Sequence, residues 1–134
     1  MFRLTIALVA AASLLAAAQP LSADAARRTF FGVDMSGVMK GEGRDVPWRE
    51  CVEASGETVY WFAGEVDRGR LRVREDGGLC FSYKSSGYAD EACFAAYPEG
   101  RGQYRFVGVD GGSVFITRQM RKIARACPTG AMVS

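Results

Sequence analysis

The chain has 134 residues, a formal net charge of +2 and no histidine. The lack of histidine excludes Ser-His and Cys-His nucleophile pairs and histidine metal ligands. A net charge this small gives no support for a nucleic-acid partner, so we expect none. The length suits one small domain behind a leader, with no room for a second domain.

The N-terminal 25 residues are predicted to be a secretory signal peptide. Arg3 is followed by fifteen uncharged residues rich in Ala and Leu, and residues 23–25 fit the A-x-A pattern, so we expect cleavage after Ala25. The uncharged run is shorter than the roughly 20 residues that span a membrane. We therefore expect residues 26–134 to form a soluble domain, periplasmic or secreted, with no membrane span after cleavage. Fourteen of the seventeen basic residues are arginine and asparagine is absent, which fits a G+C-rich bacterial coding sequence.

The first part of this domain has weak patterns. Residues 26–43 are expected to form a short strand or arm, with residues 29–31 strand-like. Residues 46–54 are predicted to contain a short helical turn, because a proline lies near its possible start and a glycine just beyond its end. In such a turn Trp48 and Val52, four residues apart, would face the core.

Four runs of alternating or aromatic residues within residues 57–97 predict an antiparallel β-meander. Asp-Gly-Gly turns at residues 76–78 and 110–112 are typical of hairpins and extend the pattern toward the C-terminus. Residues 119–127 fit a helix or a strand, of which a strand with an irregular end is favoured. Residues 128–134 are expected to be a loose tail.

These elements predict an all-β fold, a small antiparallel meander of six to eight strands that closes into a barrel or sandwich. The first strong run carries bulky residues on both faces, Tyr60 and Phe62 on one and Val59 and Trp61 on the other, which indicates a central or fully covered strand. Closure into a barrel is favoured, because an open meander would leave long edges that can pair with other chains.

The four cysteines are predicted to form two disulfides, as is usual in a small exported domain. If the strands on either side of residues 86–87 fold back on each other, Cys80 and Cys93 stand directly opposite. Cys51 and Cys127 then remain to pair, joining the start of the domain to its end. The C-x₂-C spacing of zinc sites is absent, so we expect no metal.

No motif indicates catalysis, and we expect neither a cofactor nor a catalytic residue. A Ser-Lys arrangement is conceivable within residues 82–86, where Ser82, Lys84, Ser85 and Ser86 lie, but a polar hairpin loop is favoured. Carboxylates could form an acid and base pair of glycosidase type, although solvated surface is favoured. The candidates are Glu50, Glu53, Glu57, Asp90 and Glu91.

Aromatic residues are numerous enough to line a ligand cavity inside a barrel, or to fill it as a packed core. Both alternatives stay open, since an eight-stranded barrel is just wide enough to be filled by side chains. The residues concerned are Tyr60, Trp61, Phe62, Phe81, Tyr83, Tyr88, Phe94, Tyr97, Tyr104 and Phe106.

Arg70, Arg72 and Arg74 alternate along one predicted strand, with Arg68 just before them. Alternation places these arginines on one face, where like charges need cross-strand carboxylates, solvent or an anionic partner. Cross-strand pairing is favoured. The functional alternative is that this arginine ladder binds an anionic envelope polymer or an acidic protein surface, since a guanidinium can form two hydrogen bonds to a carboxylate or phosphate.

Residues 56–94 carry a pattern in which G-x-T opens a meander, a D-G turn follows, and a C-F-S-Y strand precedes C-F. This pattern resembles small exported alphaproteobacterial domains of unknown function. The resemblance implies a bridged β-meander and brings no catalytic residues. The exported, disulfide-stapled meander also resembles periplasmic lysozyme-inhibitor barrels, in architecture only.

The function expected from the sequence is that of an exported, non-catalytic β-domain that binds a protein or an envelope polymer. The alternative is a small-ligand carrier with an aromatic-lined barrel. A small hydrolase is the least favoured alternative, because no site chemistry supports it.

Overall fold

The computed structural model describes residues 18–130, which form a closed barrel of eight antiparallel strands arranged in chain order. One helix, α1 (Ala23–Phe30), precedes the barrel, and a 3₁₀ turn (Lys84–Ser86) joins the fifth strand to the sixth. The strands are β1 (Val33–Lys40), β2 (Asp45–Val52), β3 (Glu57–Phe62), β4 (Glu65–Val73), β5 (Leu79–Tyr83), β6 (Glu91–Gly100), β7 (Gln103–Gly108) and β8 (Val114–Lys122). Pairing of β8 with β1 closes the barrel, so the predicted all-β meander and its closure are confirmed.

The helix α1 closes one end of the barrel, which we call the α1 end. Phe30 is fully buried there, and its ring centroid lies 5.1 Å from those of both Tyr104 and Phe106. Just before the helix, the Leu21 N–H donates to the Ala96 carbonyl at 2.8 Å. The opposite end, which we call the loop end, gathers the connections β1–β2, β3–β4, β5–β6 and β7–β8.

The expectation of a strand-like segment at residues 29–31 is wrong, because Thr29 and Phe30 belong to α1. Ser22 caps this helix, and Ala26 and Phe30, four residues apart, bury one face against the barrel. Residues 1–17 of the predicted signal peptide lie outside the described residues, whereas Ala25 lies within α1.

The helical turn predicted for residues 46–54 is also wrong, because this segment is the strand β2 as far as Val52. Trp48, Glu50 and Val52 are buried at alternate positions, which is the period of a strand. Pro47 is tolerated because β3 pairs with β2 only from Trp48 onward, so the missing N–H breaks no bond to β3.

The C-terminal segment covers the outer face of β3. After β8 ends at Lys122 the chain is irregular up to Cys127, which confirms the strand with an irregular end. The Trp61 indole N–H donates to the Gly130 carbonyl at 2.8 Å, so the expected loose tail is packed at least to this residue. The remaining four residues, 131–134, lie outside the described part. With Trp61 covered on this side and Tyr60 facing the barrel interior, the prediction of a covered strand is confirmed.

Both predicted disulfides are present. Cys80 and Cys93 are cross-strand partners with Cα atoms 4.0 Å apart, and Cys51 and Cys127 are bridged with Cα atoms 5.8 Å apart. The two predicted Asp-Gly-Gly turns also connect antiparallel strands, β4 to β5 and β7 to β8. Among residues 18–130 no helix has the length and apolar character needed to cross a membrane.

Candidate ligand cavity

The barrel encloses a cavity of about 240 Å³ between its middle and the loop end. Its lining comes from seven of the eight strands and from one residue beside β8, and it is mainly aromatic. The lining residues are Met35, Trp48, Glu50, Tyr60, Phe81, Tyr83, Ala92, Phe94, Phe106, Ser113 and Phe115. Ala92 and Ser113 are exposed as well, so the cavity meets solvent beside these two small residues at the loop end.

Half of the aromatic residues predicted to line a barrel do line this cavity: Tyr60, Phe81, Tyr83, Phe94 and Phe106. The rings contact one another around the wall, with centroids 5.3 Å apart for Tyr60 and Tyr83. Phe94 and Phe115 meet edge to face at 5.4 Å. Trp48 and Phe115 complete the wall although neither was predicted to line a cavity. The barrel interior is therefore filled at the α1 end and hollow toward the loop end.

The other predicted aromatics have structural surroundings. Tyr104 packs on Phe30 at the α1 end, and Trp61 lies under the C-terminal segment on the outside. Tyr88 and Tyr97 each lie beneath an arginine, with guanidinium carbons 4.2 and 4.8 Å from their ring centroids. Phe62 stacks on Tyr60 at a centroid distance of 5.9 Å.

Glu50 is a buried carboxyl in the cavity wall. Strand alternation on β2 turns it inward between Trp48 and Val52, and only 3% of the residue is exposed. The Tyr83 hydroxyl donates to Oε2 at 2.8 Å, whereas Oε1 has no hydrogen-bond partner among the described residues. The Trp48 indole N–H is also buried without a partner there. Two polar atoms of the cavity wall are thus left unsatisfied, which is uncommon in protein interiors.

The position of Tyr83 depends on a glycine in the neighbouring strand. Gly69 of β4 is the cross-strand partner of Tyr83, and a Cβ atom built there would lie 2.6 Å from the tyrosine ring. Any side chain at residue 69 would displace that ring. The glycine therefore makes room for the ring whose hydroxyl reaches Glu50.

Burial raises the pKa of Glu50 to about 8, because the charged form would lose its hydration inside the barrel. The nearby Thr58 hydroxyl and the hydrogen bond from Tyr83 favour the charged form and offset this rise in part, while the negative charge of Asp67 adds to it. Burial and the neighbouring Glu50 raise the pKa of Tyr83 well above its usual value. At neutral pH the cavity therefore contains a carboxylic acid that is mostly protonated and neutral tyrosines.

The serines and lysine of residues 82–86 do not form a Ser-Lys pair within the described part of the chain. The Ser85 hydroxyl donates to the Asp67 carboxylate, and the Ser86 hydroxyl donates to the Tyr83 carbonyl. Lys84 forms no hydrogen bond to a described serine. The segment is the polar hairpin loop that was favoured.

The five candidate carboxylates do not share a cleft. Only Glu50 lines the cavity. Glu53 accepts a hydrogen bond from the Cys127 N–H at 2.9 Å, and Glu91 pairs with Arg72. Glu57 and Asp90 are exposed. An acid and base pair of glycosidase type is therefore not assembled from these residues.

The predicted arginine ladder lies on the outer face of β4 and just beyond its end, and most of its members have partners. Arg72 donates two hydrogen bonds to Glu91, at 2.6 and 3.2 Å, and Arg74 pairs with Asp76 at 2.9 Å. The guanidinium of Arg70 covers the Tyr88 ring. Arg68 is exposed on the same strand.

A second group of arginines, not predicted as a site, lines a groove on the outside of β1 and β8. Asp34 of β1 accepts hydrogen bonds from Arg49 and Arg121, whose positive charges hold the pKa of Asp34 below its usual value although burial opposes them. Arg101 and Arg118 line the same groove and have no carboxylate partner among residues 18–130. These arginines are separated by up to 72 positions in the sequence, so no local pattern could have grouped them.

Comparison with protein-family models, with curated proteins and with solved structures found no match. The resemblance to exported alphaproteobacterial domains therefore stays a prediction. Any functional conclusion has to rest on the geometry of the barrel and its cavity.

Proposed function

We propose that the protein is an exported, non-catalytic carrier that holds a small, mostly apolar ligand inside its barrel. The observation that carries this proposal is the aromatic-walled cavity, which combines a predominantly apolar lining with two unsatisfied polar atoms. Ligand sites are typically concave and apolar, with a few polar groups that fix the orientation of the ligand. A barrel built only for stability would gain from filling this space, because an empty cavity forfeits packing contacts.

Non-catalytic binding is proposed because the cavity wall, as formed by the described part of the chain, offers one carboxyl and no nucleophile paired with a base. Binding of a protein or an envelope polymer through the arginine ladder has less support. Arg70, Arg72 and Arg74 already have partners within the domain.

The carrier function is tested with small neutral probes, for which we choose 2-phenylethanol, indole and 1-hexanol. We expect at least one of them to bind saturably with one site per chain, measured by isothermal titration calorimetry at pH 6. The variant Ala92→Trp places a large ring at the cavity rim and should weaken that binding at least about tenfold, since the ring competes for the same space.

The matched control is Ala89→Trp, which adds the same ring at an exposed loop position that does not line the cavity. We expect this variant to bind like the parent. Failure of all three probes to bind, or equal binding by the two tryptophan variants, would contradict the carrier function.

Export is part of the same proposal. Two disulfides are consistent with a protein outside the cytoplasm, where thiols can be oxidised.

The packing of residues 21–25 indicates where a leader peptide would be cleaved. Cleavage after Ala25 would remove Leu21, which bonds to Ala96, and the Ser22 cap whose hydroxyl accepts from the Ala25 N–H at 3.3 Å.

We therefore expect the exported protein to begin before Leu21, with Gln19 as its first residue. Residues 16–18 read Ala-Ala-Ala and also satisfy the A-x-A pattern, and cleavage there would keep the whole of α1. Intact-mass measurement of protein recovered from the periplasm or medium of a bacterial host checks this. A mass corresponding to a chain that begins at Ala26 would contradict it.

A further inference from the structure

Two carboxyl groups act on the cavity, those of Glu50 and Asp67. Among residues 18–130, Glu50 is the one carboxyl in its lining, and neither arginine nor lysine contributes to that lining. Asp67 of β4 adds a second negative charge that acts on Glu50. A ligand carboxylate or phosphate would find no positive partner here and would meet a buried acid. The lining therefore disfavours anionic ligands and includes one carboxyl group, that of Glu50, whose Oε1 is buried without a partner among the described residues.

We propose that the ligand is a small organic cation, an amine attached to one apolar ring or a short chain, whose ammonium group pairs with Glu50. This inference rests on the proposed carrier function, because it requires a ligand inside the barrel. Oε1 is covered in the empty cavity, so the Glu50 carboxyl group would turn toward the ligand. The ammonium group would then donate to it in a charge-assisted hydrogen bond, which is stronger than a neutral one.

The aromatic wall also favours a cation. Three rings line the cavity near Glu50: Trp48 on the same strand, Tyr60 on the neighbouring strand β3, and Tyr83, which donates to Glu50. The faces of such rings attract ammonium groups. Both tyrosines stay neutral at physiological pH, since burial raises their pKa values. A cation that enters the cavity would lose its water shell and contact one carboxylate and several ring faces instead. Aromatic cages that bind ammonium groups use such ring faces.

The cavity volume limits the size of the amine. At about 240 Å³ the space is larger than the ~150 Å³ that holds one benzene molecule in an engineered apolar cavity. The cavity can therefore hold one aromatic ring together with a side chain of two or three atoms. An amine of this size would place its ring among Phe81, Phe94 and Phe115 while its nitrogen reaches Glu50.

Binding of an ammonium group should release one proton. Glu50 is mostly protonated below pH 8, and the groups that act on it are Thr58 from β3, Asp67 from β4 and Tyr83 from β5. Tyr60 of β3 is the other titratable group that Glu50 affects, and it stays neutral. The strands β1, β6, β7 and β8 contribute no charged side chain to the lining. When the cation pairs with the carboxylate, the Glu50 proton leaves to solvent and the ligand keeps its own. The affinity for the amine should therefore rise with pH until Glu50 is already ionised in the ligand-free protein.

The test compares 2-phenylethylamine, a cation, with 2-phenylethanol, a neutral molecule of nearly the same shape. With a Glu50 pKa of about 8, the ionised fraction rises about 50-fold between pH 6 and pH 8, and the affinity for the amine should rise by the same factor. The affinity for the alcohol should change no more than about twofold, because half of Glu50 is still neutral at pH 8. At pH 8 we expect the amine to bind at least about tenfold more tightly than the alcohol. Titration calorimetry in two buffers of different ionisation enthalpy measures the released proton directly.

The variant Glu50→Gln removes the charge and should abolish both the preference for the amine and the rise with pH. Glu57→Gln changes an exposed glutamate outside the cavity and serves as the matched control, with amine binding equal to that of the parent. If the alcohol binds and the amine binds no more tightly at pH 8, the amine inference is overturned and the carrier function stands. Tightest binding of 3-phenylpropanoate, the matching anion, would also overturn the inference. If none of the three compounds binds, the amine inference is overturned, and the carrier function fails as well if indole and 1-hexanol also do not bind.

Discussion

Raising the pH from 4.5 to 8 is expected to lower the free energy of unfolding by about 4 kcal/mol through Glu50 alone. Burial raises the pKa of this carboxyl from 4.5 in the unfolded chain to about 8 in the folded protein. Between these values the folded protein keeps a proton that the unfolded chain has lost. The contribution is therefore fully present below pH 4.5, decreases as the pH rises, and is lost once the pH passes 8.

Urea unfolding of the parent and of Glu50→Gln at several pH values between 4.5 and 8.5 measures this effect. The amide cannot ionise, so the stability of the variant should be nearly independent of pH in this window, and it should exceed that of the parent above pH 8. Asp34 and Glu91, whose pKa values are lowered by arginine partners, act in the opposite direction and at lower pH. A parent protein whose stability is constant between pH 5 and 8 would show that Glu50 is not buried as described.

The ionisation of Glu50 between pH 4.5 and 8 also affects binding of the proposed ligand. An ammonium group that pairs with Glu50 stabilises its charged form, so a saturating amine should restore part of the stability lost toward pH 8. A neutral ligand stabilises the fold by mass action and leaves the pH dependence in place. Protein stability and ligand binding are thus linked through one ionisation.

Local patterns were enough to predict the strands from β3 onward and the disulfides. The hairpin centred on residues 86–87 fixes which residues of β5 and β6 face each other, and Cys80 falls opposite Cys93. Two Asp-Gly-Gly turns and the two-faced strand β3 were recognisable because turn chemistry and alternation are properties of a few neighbouring residues. The β-meander from β3 onward follows from these short-range signals, whereas β2 does not.

The N-terminal helix and the cavity carboxyl were missed for different physical reasons. The sequence of α1 begins inside a segment that resembles a signal peptide cleavage region, so Ser22 was not recognised as a helix cap. Glu50 is among the candidate carboxylates of the sequence, but its position in the barrel interior was not predicted, because the predicted helical turn places residues 48 and 52 on one face and residue 50 on another. In the strand that forms instead, Trp48, Glu50 and Val52 share the inner face. Predicting a helical instead of a strand period for this segment therefore left Glu50 off the inner face.

The cavity itself depends on residues that are far apart in the chain. Its open side results from small side chains, Ala92 and Ser113, at the loop end of β6 and just before β8. The opposite end is filled because α1 inserts Phe30 against Tyr104 and Phe106. Both features need the register of all strands and the position of α1, and neither is encoded in the pattern of any single strand.

Removal of the Cys51–Cys127 disulfide is expected to lower the free energy of unfolding by up to about 4.5 kcal/mol. The bridge closes a loop with a sequence separation of 76, and its loss restores the corresponding entropy to the unfolded chain. It also holds the C-terminal segment over Trp61, whose indole N–H bonds to the Gly130 carbonyl. The double variant Cys51→Ala/Cys127→Ala, studied by urea unfolding at pH 5, measures this cost.

The matched control is Cys80→Ala/Cys93→Ala, which removes the same number of sulfur atoms from a bridge with a sequence separation of only 13. Loop entropy predicts a smaller cost of about 3 kcal/mol for this pair, because the shorter loop loses less freedom when it is closed. In the first variant, trypsin should also cleave at the exposed Arg125 and release the residues beyond it, whereas in the parent the bridge keeps them attached through Cys127. An equal or larger loss of stability in the control would show that local packing around Cys80 and Cys93, and not chain entropy, determines what these bridges contribute.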